Sequence, residues 1–249
     1  MMKTEKALEI EELMTGMGDD AQARHLMRFF KCAPGEYGYG DRFLGIRCPE
    51  TRRIVKECRK VVDIDTAVCL VKSEWHEIRL AGFLLLIEIY KMALKSKDER
   101  RAEEIVKLYL DLIPYGNNWD LVDMVAPKIL GEHILRHPED SKILDFLSER
   151  TDSLWHQRVA IVSTWTLIRG GRYDEALRIS EKYLSHTHDL IHKATGWMIR
   201  EIGKRGARDL QLEFLDKFTP VMPRTALRYA IEHLPESQRR HYLSIPRER

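Results

Sequence analysis

The chain has 249 residues, 44% of them hydrophobic and 32% charged. That composition is ample for a sizeable core, as one elongated domain or two ordinary ones. The net charge of +2 hides an asymmetry: residues 97–152 carry 8 Lys/Arg against 13 Asp/Glu, whereas residues 178–249 carry 14 against 9. A basic C-terminal third beside an acidic middle fits a polyanion-binding surface around a carboxylate-bearing site. Ordinary solvated helix faces would give the same counts.

In chain order, Met1 to Lys6 opens an acidic amphipathic stretch with no signal-peptide core. No run of 18 apolar residues follows, so no transmembrane helix is expected. The four cysteines, Cys32, Cys48, Cys58 and Cys69, fall in the first third without a Cys-x-x-Cys pair. They read as reduced thiols of a cytosolic protein rather than a zinc site. Ala33 to Asp41 is too rich in glycine for a helix and carries Tyr37 and Tyr39. It lacks the Gly-Lys-Ser/Thr ending of a phosphate loop and is expected to be a surface connection, or a loop at the mouth of a groove.

Beyond that loop, strand signals are nearly absent and helical periodicity recurs. It appears at Ala81, Leu84, Leu85 and Ile89, then at Val159, Val162 and Trp165, then at Ile191, Ala194, Thr195 and Met198. Breakers punctuate the pattern at Pro114 to Asn118, His137-Pro138, Gly170-Gly171, Gly203 to Gly206, Pro220 to Pro223 and Pro235. Local similarity links Trp75-His76-Glu77-Ile78-Arg79 to Trp155-His156-Gln157-Arg158, and less closely to Ile191-His192-Lys193 and Ala226-Leu227-Arg228. The basic residues are spaced by 79, 35 and 35 positions. The first interval holds two repeat lengths, with Trp119-Asp120 near its middle. Paired helices at this period predict an all-α, HEAT-like helical-repeat solenoid over residues 1–249, least clearly marked over 207–249, with a concave face lined by helix starts. Such starts favour phosphate through their unpaired N–H groups and dipole. Arg79, Arg158 and Arg228 could equally bridge adjacent repeats.

Trp119-Asp120-Leu121-Val122-Asp123 carries the most specific chemistry. In a helix, Trp119 and Asp123 share one side. An aromatic face beside a carboxylate suits a cation or a developing positive charge. Asp120 reads as a helix cap or a partner for a neighbouring repeat. His186, His188 and His192 lack metal-ligand spacing, and neither a metal nor another cofactor is expected. Trp165 falls on an apolar face and is expected in the core. Arg47 at a helix start, and Arg200 and Lys204 one turn apart, are candidate backbone contacts, with solvation as the plain alternative.

Three separated motifs match a known family in order and spacing: Asn118 to Asp123, Leu154 to Arg158, and Lys193 to Glu201. With Phe43 to Arg53, they resemble the AlkD family of DNA alkylation-repair glycosylases, from about Arg24 to about Gly206. The Pro34 to Asp41 loop is longer than the family's best-known form. The resemblance implies DNA in the concave groove and excision of cationic N3- and N7-alkylated purines. It implies a catalytic Asp123, active-site tryptophans at Trp119 and Trp197, and a phosphate-contacting Arg158. Lys193, Arg47, Arg200 and Lys204 would add contacts to the DNA backbone. No lysine adjoins Asp123, so a monofunctional enzyme without a strand-cleaving step is expected. The expected partner is duplex DNA with alkylated purines, with no membrane and no obligate protein partner. The expected state is a cytoplasmic monomer, nucleoid-associated when bound. A non-catalytic DNA-structure binder and a protein-interaction scaffold are the alternatives.

Overall fold

The computed structural model describes residues 4–247. Apart from an isolated bridge between Arg42 and Trp75, no β-structure occurs among the described residues, and the fold is the expected all-α helical repeat. No helix among them is long and apolar enough to cross a membrane. The chain divides into two compact units, Met1–Leu121 and Val122–Arg249.

The first unit contains α1 (Glu5–Thr15), α2 (Asp20–Phe29), α3 (Cys48–Cys58), α4 (Ile64–Val71), α5 (His76–Ser96) and α6 (Glu99–Leu112). Their starts are set by side chains that satisfy the free N–H groups of a first turn: Thr4 caps α1, Asp19 caps α2, Asp63 caps α4 and Asp98 caps α6. The centre is α5, buried without interruption from His76 to Ile87. From Leu80 to Ile87 it is apolar all round, as suits a helix inside a core, and α3, α4 and α6 pack around it. Gly82 lets α4 approach, because a Cβ there would stand 2.5 Å from the Val71 nitrogen. Buried Glu77 ties the preceding segment to α5 by accepting from the backbone N–H groups of Leu44, Gly45 and Ile46 at 2.9–3.1 Å.

A short helix, α7 (Trp119–Val125), begins in the first unit and ends in the second. The second unit continues with α8 (Leu130–Arg136), α9 (Lys142–Ser148), α10 (Leu154–Arg169), α11 (Asp174–Lys182), α12 (Asp189–Lys204), α13 (Arg208–Phe218), α14 (Arg224–Ala230) and α15 (Glu236–Ser244). Here α10, capped by Ser153 and buried from His156 to Thr164, takes the central place. It packs against α8, α9, α11 and α12, and α12 in turn against α13 and α14. Trp165, expected in this core, is only half-buried and carries the Arg169 guanidinium over its ring at 4.7 Å.

Gly196 lets α12 lie close against α14: a Cβ there would meet the Ala226 carbonyl oxygen at 2.2 Å. That neighbour is backbone, so the helices would have to separate. Gly196→Ala is expected to cost about 1–3 kcal/mol by overpacking, despite the gain in helix propensity. Thermal denaturation reads it, and an unchanged midpoint would contradict the contact.

Candidate active site

In the second unit, the end of α7 presents Asp123 to the buried guanidinium of Arg158 on α10. Nε donates to Oδ1 at 2.8 Å and Nη2 to Oδ2 at 2.7 Å. This is a two-point fork on a carboxylate, the strong geometry for an arginine. Nη1 of the same guanidinium donates to the Leu190 carbonyl in the first turn of α12. Arg158 is 5% exposed and Asp123 is 18% exposed, so the acid keeps an edge toward solvent while its partner does not. Trp197 lies two turns further along α12 and is half-buried.

The other cations named from sequence sit closer to the surface. Lys193 pairs with Asp189 one turn back on α12 at 2.8 Å, and Lys204 with Glu201 at 3.2 Å. Arg200 pairs with Glu232. Arg47 is exposed at the start of α3. Pairs at the surface contribute little to stability and exchange readily for other anions. His186, His188 and His192 brace the turn before α12 instead of converging on a point. His186 bonds to the Gln157 side chain, His192 to the His186 carbonyl, and His188 caps the helix. No group of three or more His, Cys, Asp or Glu among the described residues could hold a metal ion.

In the first unit, the start of α7 is anchored through Asn118, Trp119 and Asp120. Asn118 is fully buried, donates to the Phe30 carbonyl at 3.2 Å and accepts from the Trp119 N–H at 2.9 Å. The half-buried Trp119 ring packs on Phe30 and Phe29, with centroids 5.3 and 5.9 Å away. Asp120, read from sequence as a cap or a partner for a neighbouring repeat, meets His76 of α5: Oδ2 lies 2.9 Å from Nε2. The other ring nitrogen, Nδ1, lies 2.8 Å from Asp41 Oδ2, and Arg79 donates to Asp41 and to Asn117.

Burial opposes charge on His76, but Asp120 and Asp41 outweigh it and lift the imidazole from 6.5 to about 9. Burial likewise pushes the Asp41 carboxyl up, and His76 and Arg79 more than reverse it, holding the group below the ordinary range. The histidine is raised, so its stabilising contribution is complete below 6.5, declines as pH rises, and is gone above about 9. Unfolding followed between those two values should show a falling thermal midpoint. A midpoint that stays flat there, but falls normally in acid, would contradict a buried charge at His76.

With this geometry in place, the comparison with known proteins is decisive at the level of family. The profile of the DNA alkylation repair enzymes matches residues 10–234, nearly the whole chain. The chain belongs to the DNA alkylation repair enzyme family. Membership assigns it an enzymatic role in repairing alkylation damage to DNA. Among solved structures, the chain is similar to a predicted DNA alkylation repair enzyme from Enterococcus faecalis, at 18% identity and a TM-score of 0.70. The match covers 88% of this chain and 97% of that one, and it supports the helical-repeat fold. No curated protein matches.

Sequence reasoning placed Asp123, Trp119, Arg158 and Trp197 of this repair-family chain correctly on helices, and the structure joins Asp123 to Arg158. It missed Asp41 and His76. The doublet Trp75-His76 and Trp155-His156 was the available signal for the histidine. Nothing local marked Asp41, which lies in a loop expected at the surface yet is 4% exposed.

Proposed function

We propose that this family member is a monofunctional DNA glycosylase that hydrolyses the N-glycosidic bond of cationic N3- and N7-alkylated purines in duplex DNA. The observation that carries the reading is the partly exposed Asp123 carboxylate, held by two hydrogen bonds from buried Arg158 within the motif that resembles AlkD.

An alkylated purine is already a cationic leaving group and needs no general acid. Bond breaking leaves positive charge on the sugar, as an oxocarbenium-like species. A carboxylate about 4 Å from that charge supplies up to ~4 kcal/mol at an effective dielectric near 20. Arg158 offsets part of this field, and the same fork fixes where the carboxylate points. Asp123 also positions the attacking water. In the reading that the resemblance suggests, Trp119 and Trp197 add aromatic faces to a cationic sugar and base, at ~0.5–2 kcal/mol each. Lys193, Arg200 and Lys204 exchange their present carboxylate partners for DNA phosphates, and the exposed Arg47 adds a further phosphate contact. Arg158, three of whose five N–H donors are engaged, serves first to hold Asp123.

The test is release of free 7-methylguanine from duplex DNA, read together with the salt dependence of binding. Release supports the glycosylase. Steeply salt-dependent binding without release favours a DNA-structure binder, and absence of both leaves a protein-interaction scaffold.

A further inference from the structure

Asp41, His76 and Asp120 form a line of buried titratable groups that the proposed chemistry leaves unused. Each imidazole nitrogen faces a carboxylate oxygen, at 2.8 and 2.9 Å. A neutral imidazole donates from one nitrogen only, so the other would point a lone pair at a carboxylate. Both contacts are hydrogen bonds only when the ring is an imidazolium. With Arg79 also on Asp41, two cations then balance two carboxylates within the cluster. Phe43 stacks on the imidazole at 4.3 Å and Phe30 tilts over it at 5.1 Å, closing the ring off.

The arrangement bears on Trp119 in two ways. Asp120 is the next residue, in the first turn of α7, and its carboxylate depends on His76: Oδ2 meets the ring, and buried Oδ1 has no hydrogen-bond partner. Phe30 is shared, since it covers His76 and carries the Trp119 indole at 5.3 Å. Loss of the proton on His76 would set a lone pair against one carboxylate and slacken both supports of the tryptophan together.

We propose that the Asp41–His76–Asp120 cluster is a positioning device for Trp119, clamping the first turn of α7 so that the indole keeps one pose against Phe29 and Phe30. The proposal rests on the reading of Trp119 as a substrate-facing residue. His76 and Asp120 touch no substrate in it and act as positioning residues.

The test uses the full chain without DNA first. The indole N–H resonance of Trp119, identified by its loss in Trp119→Phe, is followed from about pH 6 to about pH 10. It should move with a midpoint of about 9 in the wild type and show no such transition in His76→Gln. Asp120→Asn, which keeps an acceptor for Nε2–H but removes its charge, should bring the midpoint down toward the ordinary histidine value. This variant carries the test if His76→Gln does not fold. In single-turnover release of 7-methylguanine, both variants should slow roughly ten- to a hundredfold with DNA affinity nearly unchanged, as expected when a reacting group is displaced. A Trp119 resonance that ignores pH in the wild type, or that is identical in wild type and His76→Gln, would overturn the proposal. Base release absent from the wild type while the resonance behaves as expected would overturn the glycosylase reading and leave the clamp standing.

Discussion

Asp123→Asn is expected to cut the single-turnover rate of base release about 10²–10³-fold while leaving DNA binding unchanged or slightly tighter. The rate loss follows from removing a fixed negative charge where positive charge develops, an effect of the size seen when one preorganised electrostatic group is deleted. Asparagine has nearly the same shape, so packing at the end of α7 is kept. It retains one carbonyl acceptor for Arg158 but turns an N–H2 toward the other guanidinium nitrogen. Binding behaves oppositely because DNA is a polyanion and the substitution removes a like charge. A buried arginine is left short of its counter-ion, so the variant must be checked as folded at the assay temperature. A folded Asp123→Asn protein that released base at the wild-type rate would refute the assigned chemistry, even if the activity itself were real.

Arg158→Ala should have the largest effect on stability. The guanidinium is buried, and its loss removes the hydrogen bonds that it donates to both Asp123 oxygens and to the Leu190 carbonyl. Breaking a buried pair from one side costs about 3–5 kcal/mol, and the residual exposure of Asp123 puts this case near 3. For a chain of this length that corresponds to a fall of roughly 6–12 °C in the thermal midpoint. The double variant Asp123→Asn/Arg158→Ala should be less destabilised than the two single losses combined, because each has already broken the same contact. Additivity within ~0.5 kcal/mol would show that the fork contributes nothing as a pair. The salt dependence of DNA binding gives a separate answer. A phosphate contact by Arg158 predicts a logarithmic slope shallower by about 0.9 in the alanine variant, and an unchanged slope leaves the residue as a strut for Asp123 alone.

The two roles proposed for Arg158 show where sequence reading ends. One local pattern, a basic residue opening a helix ahead of an alanine, predicted the same environment for Arg79, Arg158, Lys193 and Arg228. Arg79 and Arg158 turn out to be 5% exposed and paired with acids, whereas Lys193 sits nearer the surface and Arg228 is exposed. The partners that separate these cases, Asp41 and Asp123, lie 38 and 35 residues away from their arginines. No helical period reports a contact at that distance. The long helices were legible for the opposite reason: α5, α10 and α12 run for 16 residues or more, and a buried helix of that length must show its apolar pattern. The seven-residue α7, α8 and α9 are too short to show a period of their own. Trp119 and Asp123 were readable because both lie on one short helix with distinctive side chains. His76 was not, because an imidazole at a helix start gives no sign of the two carboxylates that enclose it.

The central claim is tested most directly by incubating the purified chain with duplex DNA carrying N7-methylguanine at one position, with Asp123→Asn in parallel. The free base is measured and the phosphodiester backbone is checked for breaks. The account predicts free 7-methylguanine and an intact strand bearing an abasic site with the wild type, and almost no base with the variant. Wild-type protein that binds this duplex but releases no base, or that cleaves the strand through a covalent intermediate, would contradict it.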